Sequence, residues 1–146
     1  MHPILILNGP NLNMLGKREP DIYGTDTLDD IKALCENAAK ALNLTVDFRQ
    51  SNHEGELIGW IQDAKEAGTY KGLIINAAAY THTSIGIHDA LKLLDIPIIE
   101  VHLSNPKERE DFRHISLIEP VAQQVIAGKG PESYKMALES LSKIIM

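Results

Sequence analysis

Glu100-Val101-His102-Leu103-Ser104 is the stretch of this sequence best suited to acid–base chemistry. In an extended strand alternate side chains share a face, so Glu100, His102 and Ser104 are expected to point the same way. A carboxylate beside an imidazole orients the ring and favours its protonated form, which makes a general acid. The same pair can equally be a buried ion pair that only holds the strand end. A metal site completed by His82 is a third reading, although no ligand spacing here is diagnostic.

A second candidate is the polar stretch from Asn8 to Gly24, which sets Asn11, Asn13, Arg18 and Tyr23 among Gly and Pro residues. It follows the apolar run Ile4-Leu5-Ile6-Leu7 and precedes helical periodicity near Thr27. Connections this long in α/β units are usually functional or disordered, and this one reads as an active-site loop. An unperturbed tyrosine titrates near about 10 and is a poor base at neutral pH. Nearby cationic charge favours the phenolate, and Arg18, Arg109 and Arg113 are available to supply it. Arg109 and Arg113 share a face if residues 107–113 are helical. On spacing alone, however, a loop tyrosine beside Gly24 is more often a packing or capping residue.

Asn11, Asn76 and Ser104 are neutral hydrogen-bonding groups that follow strands. They suit a hydroxylated or carboxylated ligand, and asparagines there are also common turn residues. The loop from Asn8 to Gly16 is neither a Walker loop nor a G-x-G-x-x-G fingerprint, which weakens a nucleotide-binding reading. His53 closes the loop after the second strand, with no chemistry assigned to it.

Alternating strands and helices must position these groups. Strands are expected at 3–8, 45–50, 72–76, 98–103 and 115–118. The Thr27-x-x-Asp30 pattern caps a helix whose apolar face carries Leu28, Ile31, Cys35, Ala38 and Leu42. A second helix buries Leu57, Ile61 and Ala64 and stops at Gly68. A third follows Ser84 and runs to about Leu94. A fourth begins near Pro131 and buries Tyr134, Leu138, Leu141 and Ile145. This order predicts an α/β fold of three layers: a flavodoxin-like, doubly wound, five-stranded parallel sheet covered on both sides. Ligands of such sheets bind beyond the carboxyl ends of the strands, where all the polar clusters fall.

The chain has 146 residues, 44% hydrophobic and 23% charged, and a formal net charge of −6. One domain spanning 1–146 is expected. The acidic balance argues against nucleic acid as a partner. Of the four arginines, Arg18, Arg109 and Arg113 fall in the two polar stretches, and the fourth is Arg49. Arginine suits planar, bidentate recognition of anions. The lone Cys35 fits a reducing compartment and a place in the core. The N-terminus lacks a basic region and no apolar run approaches a membrane span, so a cytoplasmic protein is expected.

Taken together the motifs resemble a known family. Leu7-Asn8-Gly9-Pro10-Asn11-Leu12-Asn13, with Arg18-Glu19-Pro20 and Tyr23-Gly24, resembles the opening of type II 3-dehydroquinate dehydratases. Gln50-Ser51-Asn52-His53-Glu54-Gly55 resembles the family's second block, and Ala79-Tyr80-Thr81-His82-Thr83-Ser84 its third. Glu100 to Asn105, with Arg109-Glu110 and Phe112-Arg113-His114, resembles its fourth. The blocks occur in family order across essentially the whole chain.

The resemblance implies cofactor-free and metal-free dehydration of 3-dehydroquinate to 3-dehydroshikimate, in the shikimate pathway to chorismate and the aromatic amino acids. The route is a trans elimination through an enolate. It implies Tyr23 as the base, kept ionised by Arg18 with help from Arg109. Asn11 would help to stabilise the enolate oxygen, and His102, oriented by Glu100, would protonate the departing hydroxyl. Asn76, Ser104 and the backbone at Leu103 would hold the substrate carboxylate, while His82 and Arg113 would hold ring hydroxyls. A homododecamer, a tetramer of trimers, would bring Asp89 in from a neighbouring subunit.

Two departures stand out. The family often has Pro or Gly where this chain has Ala77 and Ala78, and Arg where it has His88. A non-catalytic module binding a small anion in the arginine-lined cleft is the rival reading. A metal-dependent hydrolase using His82, Glu100 and His102 is another.

Overall fold

A computed structural model describes residues 1–17, 19, 21 and 24–146. Five strands form one parallel sheet: β1 (His2–Asn8), β2 (Leu44–Gln50), β3 (Gly72–Asn76), β4 (Ile98–His102) and β5 (Gln124–Ala127), in the order β2-β1-β3-β4-β5. The order reverses at β1, from which the chain first adds β2 on one side and then β3 on the other. That reversal opens the crevice in which such sheets bind ligands. Four α-helices cover the sheet among the described residues: α1 (Leu28–Ala41), α2 (Glu54–Ala67), α3 (Ile85–Leu91) and α4 (Glu132–Ile145).

The period-2 geometry of β1 divides its apolar run between two cores. Ile4 and Ile6 pack with Ile31, Cys35 and Leu138 under α1 and α4. Leu5 and Leu7 pack with Leu57, Ile61 and Ile87 under α2 and α3. All four β1 residues are fully buried or nearly so, which is why the strand is continuously apolar. The expected three layers are present.

Local signals explain the helix ends. Thr27 Oγ1 accepts the Asp30 N–H at 3.1 Å, and Asp30 Oδ2 accepts the Thr27 N–H at 3.0 Å, completing the capping box. Gly68 ends α2 with φ +65 and donates its N–H to Ala64 O. Cys35 is fully buried on α1, and burial pushes its thiol up to about 12, so it is a core residue. The third helix is shorter than expected: α3 ends at Leu91, and a turn continues to Leu94.

One expectation fails, and one condition is not met. Residues 115–118 do not form a strand, because their polar groups are used elsewhere. Ile115 O accepts from His82 Nδ1 at 2.8 Å, and Leu117 O accepts from His88 Nδ1 at 2.7 Å. Leu117 N–H donates to Thr81 O, and Ser116 Oγ accepts the N–H groups of Ile118 and Glu119. The fifth strand is instead β5, which runs beside β4 from Ile99↔Gln124 to His102↔Ala127. Nor is 107–113 one helix. Two 3-10 turns, Pro106–Glu108 and Asp111–Arg113, are separated by an extended Arg109. No helix among the described residues is long and apolar enough to cross a membrane.

Candidate active site

Beyond the carboxyl ends of β1, β3 and β4 lies a cleft of about 220 Å³. It is lined by Asn11, Asn76, His82, His102, Leu103, Ser104, Arg109 and Arg113, with Leu12, Ala78, Ala79 and Pro106. Eight residues singled out in the sequence, drawn from the three polar segments that follow β1, β3 and β4, therefore meet in one place, and the segment after β2 does not line it. Arg18 and Tyr23 lie outside the described residues. Asp89 is exposed on α3 and is not among the residues lining the cleft.

Asn11 is held by the loop around it. It adopts φ +69, a left-handed conformation that asparagine tolerates, and starts a 3-10 turn. Its N–H donates to Asn52 Oδ1 at 2.9 Å, and Gln50 Nε2 donates to the same oxygen and to Gly9 O. Gly9 lies so close to β3 that a Cβ there would sit 2.3 Å from Ala77 O. Only glycine permits that approach, and Gly9 N–H donates to Asn76 O at 2.8 Å across it.

Asn76 is fixed by a chain of neutral hydrogen bonds. Register pairs Asn8 with Asn76 at the ends of β1 and β3, and Tyr134 from α4 reaches both. Ala78 N–H donates to Asn76 Oδ1 at 3.2 Å, and Asn76 Nδ2 donates to Tyr134 Oη at 3.0 Å. Tyr134 O–H donates to Asn8 Oδ1 at 2.6 Å, and Asn8 Nδ2 donates to Arg49 O at 2.9 Å. With Oδ1 accepting from Ala78, the Asn76 amide orientation is set, and one Nδ2 hydrogen is left over for a ligand. Burial raises the Tyr134 phenol above its ordinary value despite the Asn76 hydrogen bond, so it stays a neutral donor. The sequence presented Tyr134 only as an apolar-face residue, although a buried tyrosine hydroxyl generally needs a partner.

The His102 ring is held from behind. Its Nε2 meets Glu100 Oε2 at 2.5 Å, with both side chains buried. That contact leaves Nδ1 as the ring nitrogen able to meet a ligand. The strand ends at His102, so Ser104 reaches the cleft from beyond β4, and Arg109 Nη1 donates to its Oγ at 3.4 Å. Behind His102 is a second cavity of about 350 Å³, lined by Glu100, Thr81 and Ser116 among others. His82, His102, Pro106 and Arg113 line both cavities and form the wall between them.

His82 donates Nδ1–H to Ile115 O, which leaves Nε2 as an acceptor for a ligand hydroxyl. Burial lowers its titration below the ordinary histidine range, opposed by that backbone bond. Arg113 is steadied by Glu110 Oε1 at 2.9 Å. Arg109 also lies near Glu19 and Glu110, at 3.8 and 3.7 Å. Arg49 has a different task. It binds Asp47 through Nε and Nη2 at 3.0 and 2.8 Å and lies over Trp60, 5.4 Å from the ring centre. Its hydrogen bond holds the Asp47 carboxyl below the usual range.

The arrangement offers an oriented imidazole, neutral donors and two guanidinium groups around one small cleft. Among the described residues no group of three or more His, Cys, Asp or Glu side chains could hold a metal ion.

The family model described as Dehydroquinase class II matches residues 2–142. A relative from Rhizobium johnstonii, named 3-dehydroquinate dehydratase, is 55% identical over 141 residues, covering 97% of this chain and 96% of its own. A relative of the same name from Brucella canis is 55% identical and covers 97% and 88%. Two crystal structures share the fold. The type II dehydroquinase from Butyrivibrio crossotus has a TM-score of 0.92 at 47% identity, covering 96% and 97% of the two chains. That from Propionibacterium acnes has a TM-score of 0.93 at 45% identity, covering 98% and 97%.

Proposed function

The chain belongs to the Dehydroquinase class II family and is an enzyme of the dehydratase (hydro-lyase) type, and on that premise we propose that its cleft converts 3-dehydroquinate to 3-dehydroshikimate by trans elimination through an enolate. The observation that carries the reading is the His102 imidazole, which is held through Nε2 by Glu100 and lines a cleft of neutral donors and arginines.

In this reading the Tyr23 phenolate, favoured by Arg18 and Arg109, removes the proton next to the ketone. The C–H electron pair moves onto the ketone oxygen, giving an enolate that Asn11 helps to stabilise. The enolate collapses, the C–O bond on the opposite face breaks, and His102 Nδ1–H protonates the departing hydroxyl to give water. Asn76, Leu103 and Ser104 hold the substrate carboxylate, and His82 and Arg113 hold ring hydroxyls. The left-over Asn76 N–H and the acceptor nitrogen of His82 suit those tasks.

The same reading has residues 1–146 acting as one catalytic domain of the shikimate pathway in the cytoplasm, with neither cofactor nor metal. It also proposes a homododecamer, in which Asp89 of a neighbouring copy completes the site. The exposure of Asp89 away from its own cleft is consistent with that role.

The test follows the ultraviolet absorbance of the conjugated enone product after protein is added to 3-dehydroquinate, with chelator and borohydride controls. Turnover should survive both treatments. Tyr23→Phe should lower kcat by roughly 10²–10⁴-fold while substrate still binds. A Tyr23→Phe protein with unchanged turnover would remove Tyr23 from the mechanism.

A further inference from the structure

Ser116 sits in the segment expected to be a strand, and its hydroxyl is fully committed. A serine hydroxyl has one hydrogen and two lone pairs. The N–H groups of Ile118 and Glu119 both donate to Ser116 Oγ, at 3.1 and 3.0 Å, and take the lone pairs. The single hydrogen is thereby directed to Glu100 Oε2, 2.8 Å away. That oxygen is also the one that meets His102 Nε2. Two donors thus converge on one carboxylate oxygen, from opposite ends of a Ser116–Glu100–His102 line.

The segment carrying Ser116 is itself anchored. Leu117 N–H donates to Thr81 O at 2.8 Å, Leu117 O accepts from His88, and the Ile118 side chain is fully buried. The carbonyl just before Ser116, that of Ile115, orients His82. Adjacent residues of one segment thus reach His82 directly, through the Ile115 carbonyl, and His102 indirectly, through the Ser116 hydroxyl and Glu100.

We propose that Ser116 is a positioning residue for the elimination: acting through Glu100, it fixes the His102 ring so that Nδ1–H faces the departing hydroxyl. Glu100 Oε1 has no hydrogen-bond partner among the described residues. The carboxylate can therefore rotate unless Oε2 is tied, and Ser116 is the tie that does not take part in proton transfer. This inference rests on His102 being the acid of the proposed dehydration.

The experiment compares Ser116→Ala, Ser116→Thr and Ser116→Cys with His102→Ala, reading kcat, KM, melting temperature and the proton resonance of His102 Nε2–H. Ser116→Ala should lower kcat roughly ten- to a hundredfold, with KM changed less than about twofold. The His102 resonance should move in the same variant. Ser116→Thr, which keeps the hydroxyl, should restore both. Ser116→Cys keeps an atom for the two N–H groups but donates poorly, so it should show the loss even if the alanine variant does not fold. Wild-type kcat and an unmoved resonance in the cysteine variant would overturn the proposal. So would a threonine variant as impaired as the alanine one. If His102→Ala retains turnover, the acid assignment fails instead, while the resonance still reports whether Ser116 orients the ring.

Discussion

Two hydrogen-bonded networks meet at the carboxyl edge of the sheet, on neighbouring strands, and they differ in kind. The one ending β3 is neutral: Ala78 N–H, Asn76, Tyr134 and Asn8 pass hydrogen bonds in one direction to Arg49 O. Each amide oxygen in it has a donor, and it can hold a shape but cannot change charge. The one ending β4 contains a carboxylate and an imidazole, joined by Ser116. It leaves Glu100 Oε1 without a partner among the described residues and a cavity behind. A buried charged network is costly unless fully satisfied, so it is expected where it serves chemistry. The contrast assigns ligand holding to the β3 end and proton delivery to the β4 end.

The largest effect should come from breaking the charged network. His102→Ala removes the proposed acid and should lower kcat by roughly 10²–10⁴-fold, with KM little changed. Steady-state kinetics on 3-dehydroquinate would check this, and a mainly KM effect would assign His102 to binding instead. Breaking the neutral network should give the opposite signature. Tyr134→Phe leaves Asn8 Oδ1 and Asn76 Nδ2 without their shared partner and should cost about 1–3 kcal/mol of stability. KM should rise as Asn76 loses its fixed orientation, with kcat close to that of the parent. Denaturant melts and kinetics together test it. Unchanged stability would mean that the two amides find other partners.

This division was only partly legible in the chain. Glu100 and His102, two residues apart on an apolar strand, advertised their pairing because strand geometry puts both on one face. The cleft was legible for a related reason, since the three polar segments that line it each follow a strand end. Ser116 was not. Ile115-Ser116-Leu117-Ile118 imitates a strand's pattern, and its true partners, His82, Thr81 and His88, come from a distant segment that no local periodicity reveals. The fifth strand was missed because a four-residue edge strand opening with Gln124 offers little apolar signal: Ile126 is buried, whereas Val125 is 38% exposed. Tyr134 fitted the helical apolar stripe, which concealed its hydroxyl's role. The three arginines among the described residues divide by position, Arg49 to a strand pair with Asp47 and Arg109 and Arg113 to the cleft.

The smallest effect sharpens the neutral network at its first donor, where the chain departs from the Pro or Gly often found in the family. Ala78 has φ +52, in the left-handed region, whereas Ala77 has an ordinary φ of −74. A left-handed alanine is strained by roughly 1–2 kcal/mol, a strain that glycine escapes. Glycine also gives the unfolded chain more freedom, which offsets about 0.4–1 kcal/mol of the gain. Ala78→Gly should therefore raise stability by about 0.5–1 kcal/mol and keep the N–H that Asn76 Oδ1 accepts. Ala77→Gly relieves no strain and also removes a buried methyl, so it should lower stability by a similar or larger amount. Paired denaturant melts of the two variants decide the matter. If both lose stability, the left-handed turn at Ala78 is held by its surroundings at no net strain, and the alanines are equivalent in presenting Asn76.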